Sequence, residues 1–440
     1  MADKYNLDYF DDDRVAAKRS QYRREYRQPM NRPPQNGRGP VPNNRNNVHR
    51  KPPKRKRFSR RLRNRIIIVS VGILILILII TMISSMFRAC TGSDKKVDNN
   101  SDKTIPPTQA ATTQPATQAA NAAALNFVTP NIQDDNTTGY MGTNAYIWNG
   151  AAYELFGGDE YRAQLYADSI NSYQQKLSGI KVYNMVVPNH TEMGLPQRLK
   201  NSSAPSDSQA ENIKQIYSKL NSSVTPINAY NKIAEHCNEY VYYNSDHHWT
   251  GLGAYYAYTA WAQAKGVDAH ALEEYEQVTF PGFTGSYYTE TQAAAMEANP
   301  DTVIAYKPLT CDRMTFTDTD GNTLNWPIIN DVSGYRSTQK YSCFAAGDQP
   351  FSYIENPNVT NGQACILVKE SYADAFVPYL TDHYQFIYWF DYREYNGNIT
   401  EYIRTVTQTE GINTVDIMFL NGLDPISSIE SMNRLNSLMQ

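Results

Sequence analysis

"ACILVKESYADAFVPYLTDHYQFIYWFDY", residues 364–392, decides the fold. Residues 364–370 and 385–392 are apolar runs with the composition of buried strands, and residues 371–380 between them read as a helix. A strand, a helix and a second strand in so short a span form a βαβ unit, whose strands run parallel. The alternation continues downstream. "ITEYIRTVTQ" (399–408) predicts a helix and "TVDIMFL" (414–420) a further strand.

Working upstream, "KVYNMVVP" (181–188) and "EYVYYN" (239–244) read as strands. "DEYRAQLYADSINSYQQKL" (159–177) reads as a helix closed by Gly179. "SDSQAENIKQIYSKL" (206–220) reads as a helix capped by Ser206 or Asp207, and "GLGAYYAYTAWAQAK" (251–265) as one opened by Thr250 and closed by Gly266. "TNAYIWNGAAYELFG" (143–157) has the form of a hairpin turning at Asn149-Gly150. Residues 268–350 break the rhythm and read as an insertion. The expectation for residues 126–440 is therefore an α/β domain of three layers, α/β/α, around a parallel sheet covered on both faces. In such sheets ligands bind beyond the carboxyl ends of the strands. That places "KES" (369–371), "DYRE" (391–394) and "NGLD" (421–424) along one edge.

The first quarter of the chain is a different material. Residues 1–65 are rich in Arg, Asn, Pro and Gln without apolar periodicity, the composition of a disordered tail. Its end, "RKPPKRKRFSRRLRNR" (50–65), is a basic run of the kind that nucleic-acid binders carry. The adjoining segment argues otherwise. Residues 66–87 contain no charged side chain, and 22 residues of helix span about 33 Å against a bilayer core of ~30 Å. They read as one transmembrane helix, with the basic run as its cytoplasmic flank and the C-terminal bulk outside the cell. The charge split agrees: residues 1–89 hold 21 Lys and Arg against 6 Asp and Glu, a balance of +15, whereas 90–440 hold 20 against 38, a balance of −18. An acidic outer domain is a poor partner for nucleic acid. Residues 88–125, with "TTQPATQAANAAA" inside them, read as a disordered linker.

The chemistry-bearing stretch is "SDHHWTGLGA" (245–254). Asp246 and His248 lie two apart, so carboxylate and imidazole are able to face the same way and pair. Ser371 stands at a strand-to-helix junction, where free N–H groups meet a developing oxyanion. A serine needs a base, and the base needs a carboxylate to fix its tautomer. Asn421, at the end of the last strand, is the expected second oxyanion donor. Other readings stand beside this one. His248 buttressed by Asp246 also suits a packed tyrosine-rich core, and Ser371 also suits a helix N-cap. Ser286 is a rival nucleophile in a loop-like setting. A metal site would take His247, His248 and His236, but neighbours in an extended segment point to opposite faces. No metal or other cofactor is expected. Asp391 and Arg393 read as an ion pair, His190 as a surface loop histidine, and Gly347 and Asp348 as turn residues. No CxxC spacing exists; Cys311 with Cys343 is the expected pair if a disulfide forms.

"SDHHWTGLGA", with "LVKESYADAFVP" (367–378) far downstream of it, resembles the bacterial DHHW protein family, which is similar to the SGNH hydrolase-like proteins of alginate O-acetylation. The resemblance covers roughly residues 125–440. It implies an SGNH-hydrolase-like domain with Asp246, His248 and Ser371 as the triad and Asn421 in place of the family's oxyanion asparagine. It also implies O-acetyltransferase or acetylesterase action on a cell-surface polysaccharide, and a membrane-bound O-acyltransferase as partner. One departure stands out: the usual Gly-Asp-Ser block is here Lys369-Glu370-Ser371. The alternative is a catalytically inactive, surface-tethered glycan-binding or assembly protein on the same fold.

Overall fold

The computed structural model describes residues 124–440. The basic tail (1–65), the apolar segment (66–87) and nearly all of the linker (88–125) lie outside these residues. Among the described residues, no helix is long and apolar enough to cross a membrane.

An eight-stranded sheet forms the centre, in the order β5-β4-β13-β11-β12-β10-β8-β9. Its first five strands are parallel: β5 (Val224–Ile227), β4 (Lys181–Val187), β13 (Thr414–Gly422), β11 (Gln363–Lys369) and β12 (Phe386–Asp391). The other three, β10 (Phe351–Glu355), β8 (Arg313–Thr317) and β9 (Thr323–Pro327), join antiparallel. The expected parallel sheet is thus a mixed one, because the insertion supplies β8 and β9 to extend it. The insertion also forms a separate pair, β6 (Gln277–Phe283) with β7 (Asp301–Tyr306). Ahead of the sheet, β1 (Tyr140–Met141), β2 (Tyr146–Trp148) and β3 (Ala151–Tyr153) make a small antiparallel sheet. Its hairpin turns at Asn149 and Gly150, both at positive φ (48° and 79°), as a two-residue turn matched to strand twist requires.

Helices cover both faces. The longer ones are α1 (Glu160–Lys176), α2 (Gln209–Ser218), α3 (Ala229–Glu235), α4 (Gly251–Lys265), α5 (Ile399–Thr407) and α6 (Ile429–Ser437). On β13, Phe419 packs its ring on Tyr173 of α1 at 5.1 Å, while Asp416 pairs with Lys265 of α4. Side chains alternate along a strand, so odd positions of β13 face α1 and even positions face α4. Much of the core is aromatic: Trp249, Trp261, Trp389, Tyr166, Tyr173, Tyr258, Tyr379 and Tyr384 are all fully buried.

Four local expectations need correction. The cap of α2 is Ser208; Ser206 and Asp207 instead accept the Phe156 and Gly158 N–H groups and tie down the preceding loop. Residues 239–244 form no strand, only a bridge between Tyr242 and Trp249, so the Asp-His segment is a loop entering α4. The helix expected over 371–380 is a 3-10 turn, Ser371–Ala375, and a single helical turn, Val377–Leu380, that contains Pro378. Cys311 and Cys343 are not paired: Cys311 Sγ contacts the Arg313 carbonyl and Cys343 is a free, buried thiol.

Candidate functional site

β11 ends at Lys369, and the chain passes through extended Glu370 into the 3-10 turn that begins with Ser371. Glu370, not Ser371, caps this turn, its carboxylate accepting the Tyr372 N–H. The serine hydroxyl lies 3.3 Å from the same carboxylate oxygen and also reaches sideways. Its Oγ lies 2.8 Å from His248 Nε2, and His248 Nδ1 lies 2.6 Å from Asp246 Oδ1. With the carboxylate at Nδ1, the imidazole carries its proton there and presents a bare Nε2 to the serine. Ser371, His248 and Asp246 are all buried, at 6%, 6% and 5% exposure.

Asp246 is fixed from several sides. Oδ1 also accepts the His248 N–H at 3.0 Å, and Oδ2 accepts the Ser286 N–H at 2.8 Å. Burial alone would raise its pKa, but His248 and His247 beside it, with the hydrogen bonds from His248 and Ser286, hold it well below the carboxylate range. The close approach requires glycine at 285, where a Cβ would stand 2.2 Å from that of Asp246.

His247 departs from expectation. The segment is bent rather than extended, so the two imidazoles share one side, with ring centroids 3.8 Å apart and planes inclined by 37°. His247 Nδ1 meets Ser286 Oγ at 2.7 Å. Ser286, expected in a loop, opens a short helix, Ser286–Thr291. Partial burial, then the neighbouring His248, lower the His247 pKa. Asp246, His247 and His248 bring ligand-type atoms within 4.8 Å of one another. In that group, however, both ring nitrogens of His248 already have partners, Asp246 and Ser371, and Nδ1 of His247 has Ser286.

Asn421 is not delivered to the serine. It has the same parity on β13 as Phe419 and so faces α1, where its Nδ2 donates to the Tyr166 hydroxyl at 3.0 Å. Ser371 meets His248 from the α4 side. Strand order alone misplaced this residue by one face of the sheet. The "KES" departure acquires a physical account. Lys369, fully buried, joins Asp374 of the turn at 2.6 Å to Asp391 at the end of β12 at 3.3 Å. Arg393 binds Asp391 through both nitrogens, as expected, and also reaches Asp348 at 2.6 Å. Glu370 accepts the Gly422 N–H at 2.8 Å. These bonds fix the turn that Ser371 opens. His190, read as a surface loop histidine, is partly buried between the rings of Tyr153 and Tyr242, and burial pushes its pKa down to about 4.

The sequence reasoning missed Tyr341. Its ring stacks on His248 at 3.9 Å with planes 8° apart, and its hydroxyl donates to the Ser371 carbonyl at 3.1 Å. Tyr341 and Gly285 come from the insertion, where neither periodicity nor motif marks them; Ser286, from the same segment, reads there only as a rival nucleophile.

The family model for the DHHW protein matches residues 79–390. The chain belongs to the DHHW family. A crystal structure of a DHHW family protein from Eubacterium siraeum is 28% identical, covering 69% of this chain and 100% of that one at a TM-score of 0.61. Bacillus cereus PatB1 shares the fold at 20% identity and a TM-score of 0.53, over 67% of this chain and 99% of its own; a second PatB1 structure, which carries a sulfonyl adduct, is equally identical at a TM-score of 0.52, over 66% and 95%. Among curated proteins none matches. The four DHHW letters now have distinct positions. Asp246 and His248 join Ser371 in one hydrogen-bonded chain, and His247 lies half-exposed beside them. Trp249 is fully buried, its Nε1 donating to the Tyr372 carbonyl at 2.9 Å behind the serine.

Proposed function

We propose that this DHHW protein is a serine acyl-ester enzyme, an O-acetyltransferase or acetylesterase acting on a cell-surface polysaccharide, with Ser371, His248 and Asp246 as its triad. The hydrogen-bonded chain from Ser371 Oγ through His248 to Asp246 carries the reading. In the first step Ser371 Oγ attacks the acyl carbonyl, its proton passes to His248 Nε2, and the leaving group takes that proton as it departs. A sugar hydroxyl, or water, then attacks the acyl-serine and gives its proton to His248 Nε2, which passes that proton to Ser371 Oγ as the acyl–serine bond breaks. The Tyr372 N–H is held by Glu370, which leaves the N–H of Ser371 itself for the oxyanion. An outward-facing domain tethered through residues 66–87, served by a membrane-bound O-acyltransferase, belongs to the same proposal, which rests there on sequence and resemblance. One observation favours the inactive glycan-binding alternative: Asn421, the expected second oxyanion donor, faces α1.

The experiment that decides between them gives the protein a small activated acetyl ester and locates the label by mass spectrometry. An adduct is expected on Ser371, absent from Ser371→Ala, which stays folded because the turn is capped by Glu370. The sulfonyl adduct in PatB1 makes a sulfonyl fluoride the natural second probe. A label on Ser286, or none on folded protein, would overturn the enzyme.

A further inference from the structure

The inserted segment is more than an attachment to the sheet edge, and Tyr341 shows why. In the short 3-10 helix Ser337–Cys343, this residue touches two members of the site at once. Its ring lies flat on the His248 imidazole at 3.9 Å and 8°, and its hydroxyl holds the Ser371 carbonyl at 3.1 Å. Tyr341 is itself held: Tyr243 meets it edge-on at 6.1 Å, and Phe344 packs on it at 5.3 Å with the rings inclined by 60°. Directly after comes a run of three residues at positive φ, Ala345 (47°), Ala346 (60°) and Gly347 (70°). Two of these are not glycine, a strained conformation that persists only where surroundings enforce it. Ala345 N–H to the Ile328 carbonyl, at 2.8 Å, and the ion pair of Asp348 with Arg393 do the enforcing.

We propose that Tyr341 is a positioning residue for the reaction, a π-face that fixes the plane of His248 and stabilises its imidazolium form. The inference rests on the acyl-ester reading for its chemistry, though not for its geometry. When the Ser371 proton reaches Nε2, positive charge spreads over a ring whose face is covered by the electron-rich face of Tyr341, and such contacts are favourable when desolvated. Burial pushes the Tyr341 hydroxyl well above its usual range, so the residue stays a neutral phenol that donates. Rotation of the imidazole out of line with Ser371 would break the stack as well as the bond to Asp246. Ring and hydroxyl act on different partners, which separates them experimentally.

The test compares Tyr341→Phe, which keeps the stack and loses the hydroxyl, with Tyr341→Leu, which keeps apolar bulk and loses the π-face. Both are made in the full-length protein in detergent micelles, with two readouts. One is the rate of acyl adduct formation from an activated acetyl ester; the other is the downfield proton resonance of His248 Nδ1–H bonded to Asp246, which needs no turnover. Tyr341→Phe is expected to keep the resonance and most of the rate. Tyr341→Leu is expected to broaden the resonance and slow acylation about tenfold at unchanged ester affinity. A sharp resonance and full rate in Tyr341→Leu would overturn the proposal, as would equal losses in both variants, which would move the role to the hydroxyl. If no variant acylates, the wild type included, yet the resonance fails only in Tyr341→Leu, the positioning role stands and the acyl-ester reading falls.

Discussion

Asp424 shows how the residues around the Ser371 turn shift one another's titration. Its carboxyl is pushed up to about 6 by burial and by the charge of Glu370, although Asn189 donates to it at 2.7 Å. The folded chain therefore binds this proton more tightly than the unfolded chain does, across the window from about pH 4 to 6. The stability this carboxyl contributes is fully present below that window and is lost as pH rises through it. Asp424→Asn removes the titration, so its melting temperature should match wild type near pH 4 and exceed it near pH 7. The gain should be on the order of 2–3 kcal/mol; a difference that does not vary with pH would remove Asp424 as the cause. Asp424 was named in the sequence only as part of "NGLD", because nothing in one dimension says that Glu370 will lie beside it. Asp246, His248 and Ser371 were legible for the opposite reason. A carboxylate two residues from a histidine and a serine after a strand carry their chemistry in local spacing.

At the scale of the elements, the turn after β11 depends on a buried cation. Lys369 is the last residue of the strand, and its ammonium faces Asp374 and Asp391, both fully buried. Burial would lower its pKa, but these two carboxylates raise it above the ordinary lysine value. Lys369→Ala leaves two buried carboxylates short of a partner, and breaking such a pair costs about 3–5 kcal/mol. Arg393→Ala should cost less, since Asp391 keeps Lys369. Thermal melts of the two variants check the order, and equal losses would contradict it. Strands β4, β11, β12 and β13 were readable because each is a near-continuous apolar run, as burial on both faces demands. β5 was not, since "VTPI" contains Pro226, which a strand tolerates here because β5 is the sheet edge. Nor was the 3-10 turn at Ser371 readable, where bonds between Lys369, Asp374 and Asp391, distant or local, override helical spacing.

For the molecule as a whole, the proposed orientation rests on the basic run at 50–65 beside the uncharged segment 66–87. With the basic run at 50–65 inside, protease added to intact cells should remove the acidic domain and spare the N-terminal tail. Loss of the tail with survival of the domain would reverse the topology.

The insertion ties the candidate site to distant parts of the chain. Ser371 bonds a histidine 123 positions earlier, Asp246 is held by a residue 40 positions later, and the Ser371 carbonyl meets Tyr341 across 30. Each is a non-local contact, and loop-closure entropy must be met before any of them is rewarded. The parallel strands can pair without them. The sheet is no more local, since β13 pairs with β4 across 235 positions, Asp416 opposite Lys181. Until the insertion is in place, Asp246 lacks its donor from Ser286 and His248 lacks its facing ring. A half-folded chain thus holds Ser371 without these contacts, and the proposed acyl chemistry would require the completed fold.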